Sequence, residues 1–227
     1  MKSLAICLLM FATVAFAESH EELIDRAFER LEDDLSGHWS YTHTHDDGEA
    51  IYVGRYDPRL PEPDRWTLIS VDGREPTADE TEDYRDEQAE DQNQESDDDD
   101  NSVESIATKG SVALIEETDG YWLFSFDPAP DSEDEREFME SIHGTLKVIK
   151  EGHFVALITL QNRDTIKPSK GIKITEFRTR LEFAPVQDGG SVLPHSVQAI
   201  VKGKAFFVVR IDESETVNYS DFERVKD

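Results

Sequence analysis

Two stretches, IHGTLKVIKEGHFVALITLQN (residues 142–162) and IKITEFRTRLEFA (residues 172–184), decide the fold. In the second, Phe177, Leu181 and Phe183 alternate with Glu176, Arg178, Arg180 and Glu182, a period of two that fits a strand with one dry and one wet face. In the first, two apolar runs flank the turn Glu151-Gly152. Phe154 to Leu160 hardly alternates, so that strand is expected to lie centrally with cover on both faces. Working outward, Ser111–Glu117, Tyr121–Asp127, Leu193–Lys202, Lys204–Ile211 and Thr216–Arg224 read as further strands, with Ala205 to Val209 again among the central ones. The turns, such as Thr118-Asp119-Gly120 and Asp188-Gly189-Gly190, are short, which is hairpin chemistry and predicts an antiparallel meander.

The N-terminal part adds a helix and a second set of strands. Leu23, Ile24, Ala27, Phe28, Leu31 and Leu35 recur at helical spacing, Ser19 and Glu22 form a capping-box pattern, and Gly37 is placed to stop the helix. Such an amphipathic helix has to dock on something. Trp39, Tyr41, His43 and His45 then alternate with Ser40, Thr42 and Thr44, Asp46-Asp47-Gly48 makes a turn, and Ile51–Tyr56 returns as a second strand. After the irregular Asp57–Pro63 comes a short strand, Trp66–Val71.

Pro76, Thr77 and Glu80 predict the start of a polar helix running to about Gln88, with Tyr84 its only large apolar anchor. It lies in an acid-dense stretch, about 77–104, that peaks in Asp97-Asp98-Asp99-Asp100 and is expected to fade into a disordered loop, having too little apolar surface to offset its ordering entropy. A calcium loop would need alternating ligands, a central Gly and a terminal Glu, and that spacing is missing. A further short helix, about Ser132–Glu140, is expected from the Ser132 and Glu135 pair. These elements together predict a mainly β (α+β) fold, an incomplete antiparallel β-barrel or curved half-barrel, with the N-terminal amphipathic helix and short helices covering its concave face. The competing immunoglobulin-like sandwich has short strands and no N-terminal docking helix.

The first seventeen residues read as a cleavable secretory signal: Lys2, the apolar run Leu4–Phe16, and the small-residue site Ala15-Phe16-Ala17. The run is too short for a transmembrane helix, which needs about 20 residues. Cys7 lies inside the run behind Ile6, which is not the context of a lipidated cysteine, and it is the only cysteine. Cleavage after Ala17 therefore leaves a single domain, 18–227, without disulfide or thiolate chemistry. The full chain carries 51 acidic against 23 basic residues, a net charge of −28. Such a charge repels phosphate backbones, so nucleic acid is not an expected partner.

The order of parts carries a family resemblance. The amphipathic helix, Trp39-Ser40-Tyr41-Thr42, Tyr56-Asp57-Pro58, Trp66-Thr67-Leu68, Gly73 with Pro76-Thr77, Leu193-Pro194 and Tyr219-Ser220-Asp221-Phe222 resemble, in that order, an uncharacterised family of secreted Gram-negative proteins. These in turn are similar to the outer-membrane lipoprotein carrier (LolA/LolB-like) superfamily. The resemblance implies a periplasmic half-barrel whose apolar concavity holds an acyl chain, and it transfers no individual binding residue. The acidic insert and the large negative charge depart from a generic carrier.

The residues themselves offer little catalytic chemistry. There is no Gly-x-Ser-x-Gly elbow, Gly-rich phosphate loop or dinucleotide fingerprint, and carboxylate pairs are too common here to mean anything. The chain is expected not to be an enzyme and to need no cofactor. His43 and His45 share a strand face near His38, Asp46 and Asp47 and are weak metal candidates, though polar residues also collect at a hairpin end; His143, His153 and His195 are scattered. Arg178 and Arg180, with Lys170 and Lys173, are expected to pair with Glu176 and Glu182 rather than to hold an anion. The leading expectation is a periplasmic carrier of a lipid or lipoprotein acyl chain, acting with envelope proteins. Its lining would be Phe177, Leu181, Phe183, Phe207 and Val209, beneath a helix bearing Leu23, Phe28 and Leu31. Two alternatives stand beside it: an interaction module whose barrel is filled by its own side chains, and a metal-handling protein using His43 and His45.

Overall fold

The computed structural model describes residues 20–62, 64–94 (backbone alone over 89–94), 106–130, 132, 135–186, 190–206 and 209–225. The expected signal, the Ser19 cap, most of the expected acidic loop, and the Asp188-Gly189 part of one turn lie outside these residues. In chain order the elements are α1 (His20–Leu35), β1 (Trp39–Asp46), β2 (Ile51–Tyr56), β3 (Trp66–Val71), α2 (Ala78–Gln94), β4 (Ala113–Glu117), β5 (Tyr121–Phe126), α3 (Arg136–Met139), β6 (Ile142–Ile149), β7 (Phe154–Asn162), β8 (Ile172–Pro185), β9 (Val192–Ala205) and β10 (Val209–Arg224). The ten strands form one antiparallel sheet in the order β3-β2-β1-β10-β9-β8-β7-β6-β5-β4. Sheet neighbours are consecutive in sequence except at β1 and β10, where Trp39 opposes Arg224 and Asp46 opposes Thr216, joining the two ends of the chain. The sheet remains open between its edges β3 and β4, so the fold is a mainly β, incomplete barrel and not a two-sheet sandwich.

Helix α1 fills half of the concavity. Its stripe of Ile24, Ala27, Phe28 and Leu31 forms one buried cluster with Phe124 and Phe126 of β5, Leu146 and Val148 of β6, Val155 and Ile158 of β7, and Val192 of β9. One helix reaches residues from so many strands because the sheet wraps around it. Each large apolar side chain so buried is worth about 1.5–3 kcal/mol, so α1 is a principal stabilising element. Polar straps fix its register. His153 Nε2 lies 2.7 Å from the Leu23 carbonyl, and Arg30 donates to the carbonyls of Gly190 (2.6 Å) and Gly152. Asp34 accepts from the Val192 N–H (2.9 Å), and the Trp39 indole donates to the Asp34 carbonyl (3.0 Å).

Three sequence expectations need correction. The strands expected at 193–202 and 204–211 do not meet in a turn at Gly203. That glycine sits inside β9, where a Cβ would run into the Lys173 backbone, so its absent side chain serves close strand approach rather than a turn. The chain turns beyond Ala205 instead, with Phe206 at φ 50° and Ala205 paired to Val209, and β10 runs unbroken from Val209 to Arg224. The described residues of the supposed central strand 205–209 therefore stand at the end of the β9–β10 pair, with Phe206 69% and Val209 55% exposed. The third correction concerns the helix expected at Ser132–Glu140, which is the single turn α3, entered through Glu135 without a side-chain cap. The polar helix α2, in contrast, extends past the expected Gln88 to Gln94.

Candidate functional site

The site is built on the concave face of the half-sheet that α1 does not cover. On β1 the period of two sends Trp39, Tyr41, His43 and His45 to one side. Opposite Tyr41, His43 and His45 on β2 stand Tyr56, Gly54 and Tyr52, and opposite Tyr56 and Gly54 on β3 stand Trp66 and Leu68. On β10, Tyr219 faces His43, and a register shift at Ser40–Thr42 brings Phe222 to the same patch. The rings form a continuous surface, with centroids 4.6 Å apart for Tyr56–Trp66, 5.3 Å for Tyr41–Tyr56, 5.6 Å for Tyr41–Tyr219 and 5.8 Å for Tyr41–Phe222. These spacings fit the offset and edge-on arrangements that aromatic pairs prefer.

Two adjoining cavities lie along this surface and share Tyr41, Tyr56 and Tyr219. The first, of about 650 Å³, opens at the C-terminal end of α1 and is walled by Leu35, Trp39, Leu193 and Phe222. The second, of about 410 Å³, runs toward α2 and adds His43, His45, Trp66, Glu87 and Glu215. Among the described residues neither wall contains a Lys or Arg. The Trp66 indole N–H is buried with no partner among the described residues, at a cost of about 1–3 kcal/mol. Local compromises of this kind are expected where a site is not shaped for stability alone.

Helix α2 borders the second cavity with Glu87 and Gln88 and is anchored to the sheet through Tyr84. Tyr84 packs on Leu68 and Val71, and its hydroxyl lies 2.9 Å from His43 Nε2. Gly54 lies directly beneath, where a Cβ would stand 2.6 Å from His43 Nε2 and 2.9 Å from Tyr84 Cζ. Burial and, secondarily, the neighbouring His45 lower the His43 pKa from 6.5 to about 4, while burial, with a smaller push from Glu87, raises that of Tyr84. Both shifts favour the neutral pair, joined by a hydrogen bond between the tyrosine hydroxyl and Nε2 whose direction follows the imidazole tautomer. The helix start is a capping box: the Thr77 N–H donates to Glu80 (2.8 Å) and the Glu80 N–H to Thr77 Oγ1 (3.2 Å). Arg74 pairs with Glu80 (2.5 Å) and, as the largest cause, holds its carboxyl at about 2.

The residues expected to line a ligand cavity fall elsewhere. Phe28 and Leu31 are buried in the α1 cluster, with Leu181 and Phe183 packed against it, and Leu23 is buried on the same helix, so they form core rather than an open wall. Phe177 stacks edge-on against Phe138 of α3 at 5.3 Å. Val209 is exposed at the end of the β9–β10 pair, a correction that follows from the misplaced turn, and Phe207 lies outside the described residues. His43 is only 6% exposed, against the expectation of an exposed hairpin end, and it is occupied by Tyr84. His45 Nε2 lies 2.7 Å from Glu215, and among the described residues no three His, Cys, Asp or Glu side chains gather as a metal-ligand set. Arg178 and Arg180 pair with Glu176 (3.5 Å) and Glu182 (2.6 Å), as their alternation with acids suggested. The aromatic residues of the groove were visible in the sequence as fold markers, with Trp39, Tyr41, Tyr56, Trp66, Tyr219 and Phe222 all in the segments quoted for the family resemblance, while His43 and His45 stood out only as metal candidates.

No family model matches this chain, and no curated protein does. Among solved structures, the crystal structure of MucB in complex with MucA(peri) is similar at 9% identity over 90% of this chain and 100% of that chain, with a TM-score of 0.25. A likeness at that level carries no argument about this protein's activity or partner.

Proposed function

We propose that this chain is an exported, non-catalytic binding protein that receives a segment of a partner polypeptide in the aromatic groove between α1 and α2. The observation that carries this reading is the division of the concave face: α1 fills the half over β5–β9 with its own side chains, while the half over β1–β3 and β10 keeps two adjoining cavities. A buried acyl chain would have to displace Phe28 and Leu31, which are held by packing and by the straps at Arg30, Asp34 and His153. Export to the periplasm rests on the signal-like residues 1–17. No cofactor enters this reading.

The carrier reading remains the rival, because the cavity of about 650 Å³ has apolar walls at Leu35, Leu193 and Phe222 and a volume in the range used by small ligands. Native mass spectrometry of the gently purified protein, followed by lipid extraction, separates the two. The binding-module reading expects an apo mass and no uptake of a fluorescent fatty acid. A near-stoichiometric acyl species would overturn it and favour the carrier.

A further inference from the structure

We propose that the cavity of about 410 Å³ is a receptor for one organic cation, the lysine or arginine side chain of the partner polypeptide, enclosed by the rings of Tyr41, Tyr56, Trp66 and Tyr219 and facing the carboxylates of Glu87 and Glu215. The inference rests on the groove being a partner-binding site and names the chemistry that it recognises. The faces of tyrosine and tryptophan rings attract a cation most strongly where water is displaced. Glu87 and Glu215 supply the opposite charge, and because His45 is at most singly positive, the His45–Glu215 pair is never net cationic while Glu215 is ionised.

The protein already uses this arrangement within its own chain. Lys150 Nζ lies 4.7 Å from the Trp122 ring centroid and 2.7 Å from Glu117, whose carboxylate also accepts from the Trp122 indole at 3.1 Å. At Trp66 the ring and nearby acids are present and, among the described residues, the wall brings no Lys or Arg. A polypeptide is the source to which the geometry points, because the neighbouring cavity of about 650 Å³ adjoins through shared tyrosines and has apolar walls suited to an adjacent side chain. The net charge of −28 attracts a basic segment over distance without selecting the pocket.

The test is calorimetric titration of the full mature chain with three compounds. They are an acetylated, amidated decapeptide of alternating Lys and Phe, the same peptide with Gln for Lys, and tetramethylammonium. The expected result is that only the Lys peptide binds tightly. Glu87→Gln with Glu215→Gln, and separately Tyr56→Leu, should each weaken it about tenfold. Asp119→Asn with Glu151→Gln, an equal charge change at exposed turns of another region, should leave it within about twofold. Retained affinity in the Glu87/Glu215 variant, or equal binding of the Gln peptide, would overturn the cation receptor while leaving the groove a binding site. Tetramethylammonium as tight as the peptide would overturn the polypeptide source. Binding of none of the three would overturn the receptor and, with an acyl chain found in the purified protein, the binding-module reading as well.

Discussion

Gly54→Ala is the smallest change that should detach an entire element. The new Cβ would stand 2.6 Å from His43 Nε2 and 2.9 Å from Tyr84 Cζ, with the Tyr84 hydroxyl closer still. The clash is against the buried end of α2's anchor, and the strand beneath cannot yield because Gly54 is paired on both sides, to His43 and to Leu68. Displacing Tyr84 forfeits its burial, about 1.5–3 kcal/mol, and its hydrogen bond to His43, about 0.5–1.5 kcal/mol, for a total of about 2–4.5 kcal/mol. What would remain to hold α2 is the capping box and exposed ion pairs such as Arg74–Glu80, worth about 1 kcal/mol or less each. An acid-rich helix of this length is marginal on its own. Hydrogen exchange read by mass spectrometry should therefore show protection lost over 78–94 and kept over 142–162. Were there no clash, alanine in a strand would stabilise by about 0.5–1 kcal/mol relative to glycine, so the sign of the effect decides. Unchanged protection of α2 with a raised melting temperature would refute the close packing of Gly54, His43 and Tyr84.

Other outcomes follow from the same geometry. His43 has a folded pKa of about 4 against 6.5 unfolded, so between those pH values the unfolded chain binds a proton that the native chain does not. Its contribution is intact above pH 6.5 and falls away, by about 3 kcal/mol in all, as the pH drops to 4; urea titrations should show that slope and its reduction in His43→Gln. Phe28→Ala should cost about 3–5 kcal/mol in chemical denaturation, because the cluster under α1 cannot close the space. Val209→Ser should change stability by less than about 0.5 kcal/mol, as an exposed strand-end residue does and a cavity-lining residue would not.

Alternation and helical spacing made most of the architecture legible. They located the N-terminal helix and its buried face, the hairpin of β1 and β2, and the meander from β4 to β8, because each depends on local chemistry within a few residues. The errors occurred where tertiary contact overrides local preference. Gly203 falls in the gap between the expected strands 193–202 and 204–211, yet it is needed where β9 closes on the Lys173 backbone, and Phe206 takes the left-handed turn conformation instead. That slip of a few residues carried Val209 from the core to the solvent. The site was harder to read still. Which concave residues face a helix and which face a cavity depends on where α1 and α2 dock, and the sequence gives their apolar faces without their positions. Tyr84 stood out as an anchor, but its bond to His43 joins residues far apart in the chain, with Gly54 the only local trace of the contact.

The groove itself can be tested through its indoles, since Trp39 and Trp66 line its two cavities while Trp122 lies in neither. The most direct measurement is a two-dimensional ¹⁵N NMR titration of the mature protein with the Lys-Phe decapeptide and, separately, with a fatty acid. The peptide is expected to move the indole N–H signals of Trp39 and Trp66 and leave that of Trp122 in place, with no response to the fatty acid. Stationary Trp39 and Trp66 signals with the peptide, or fatty-acid shifts spreading through α1 and β5–β7, would contradict a self-filled half-barrel with an aromatic binding groove.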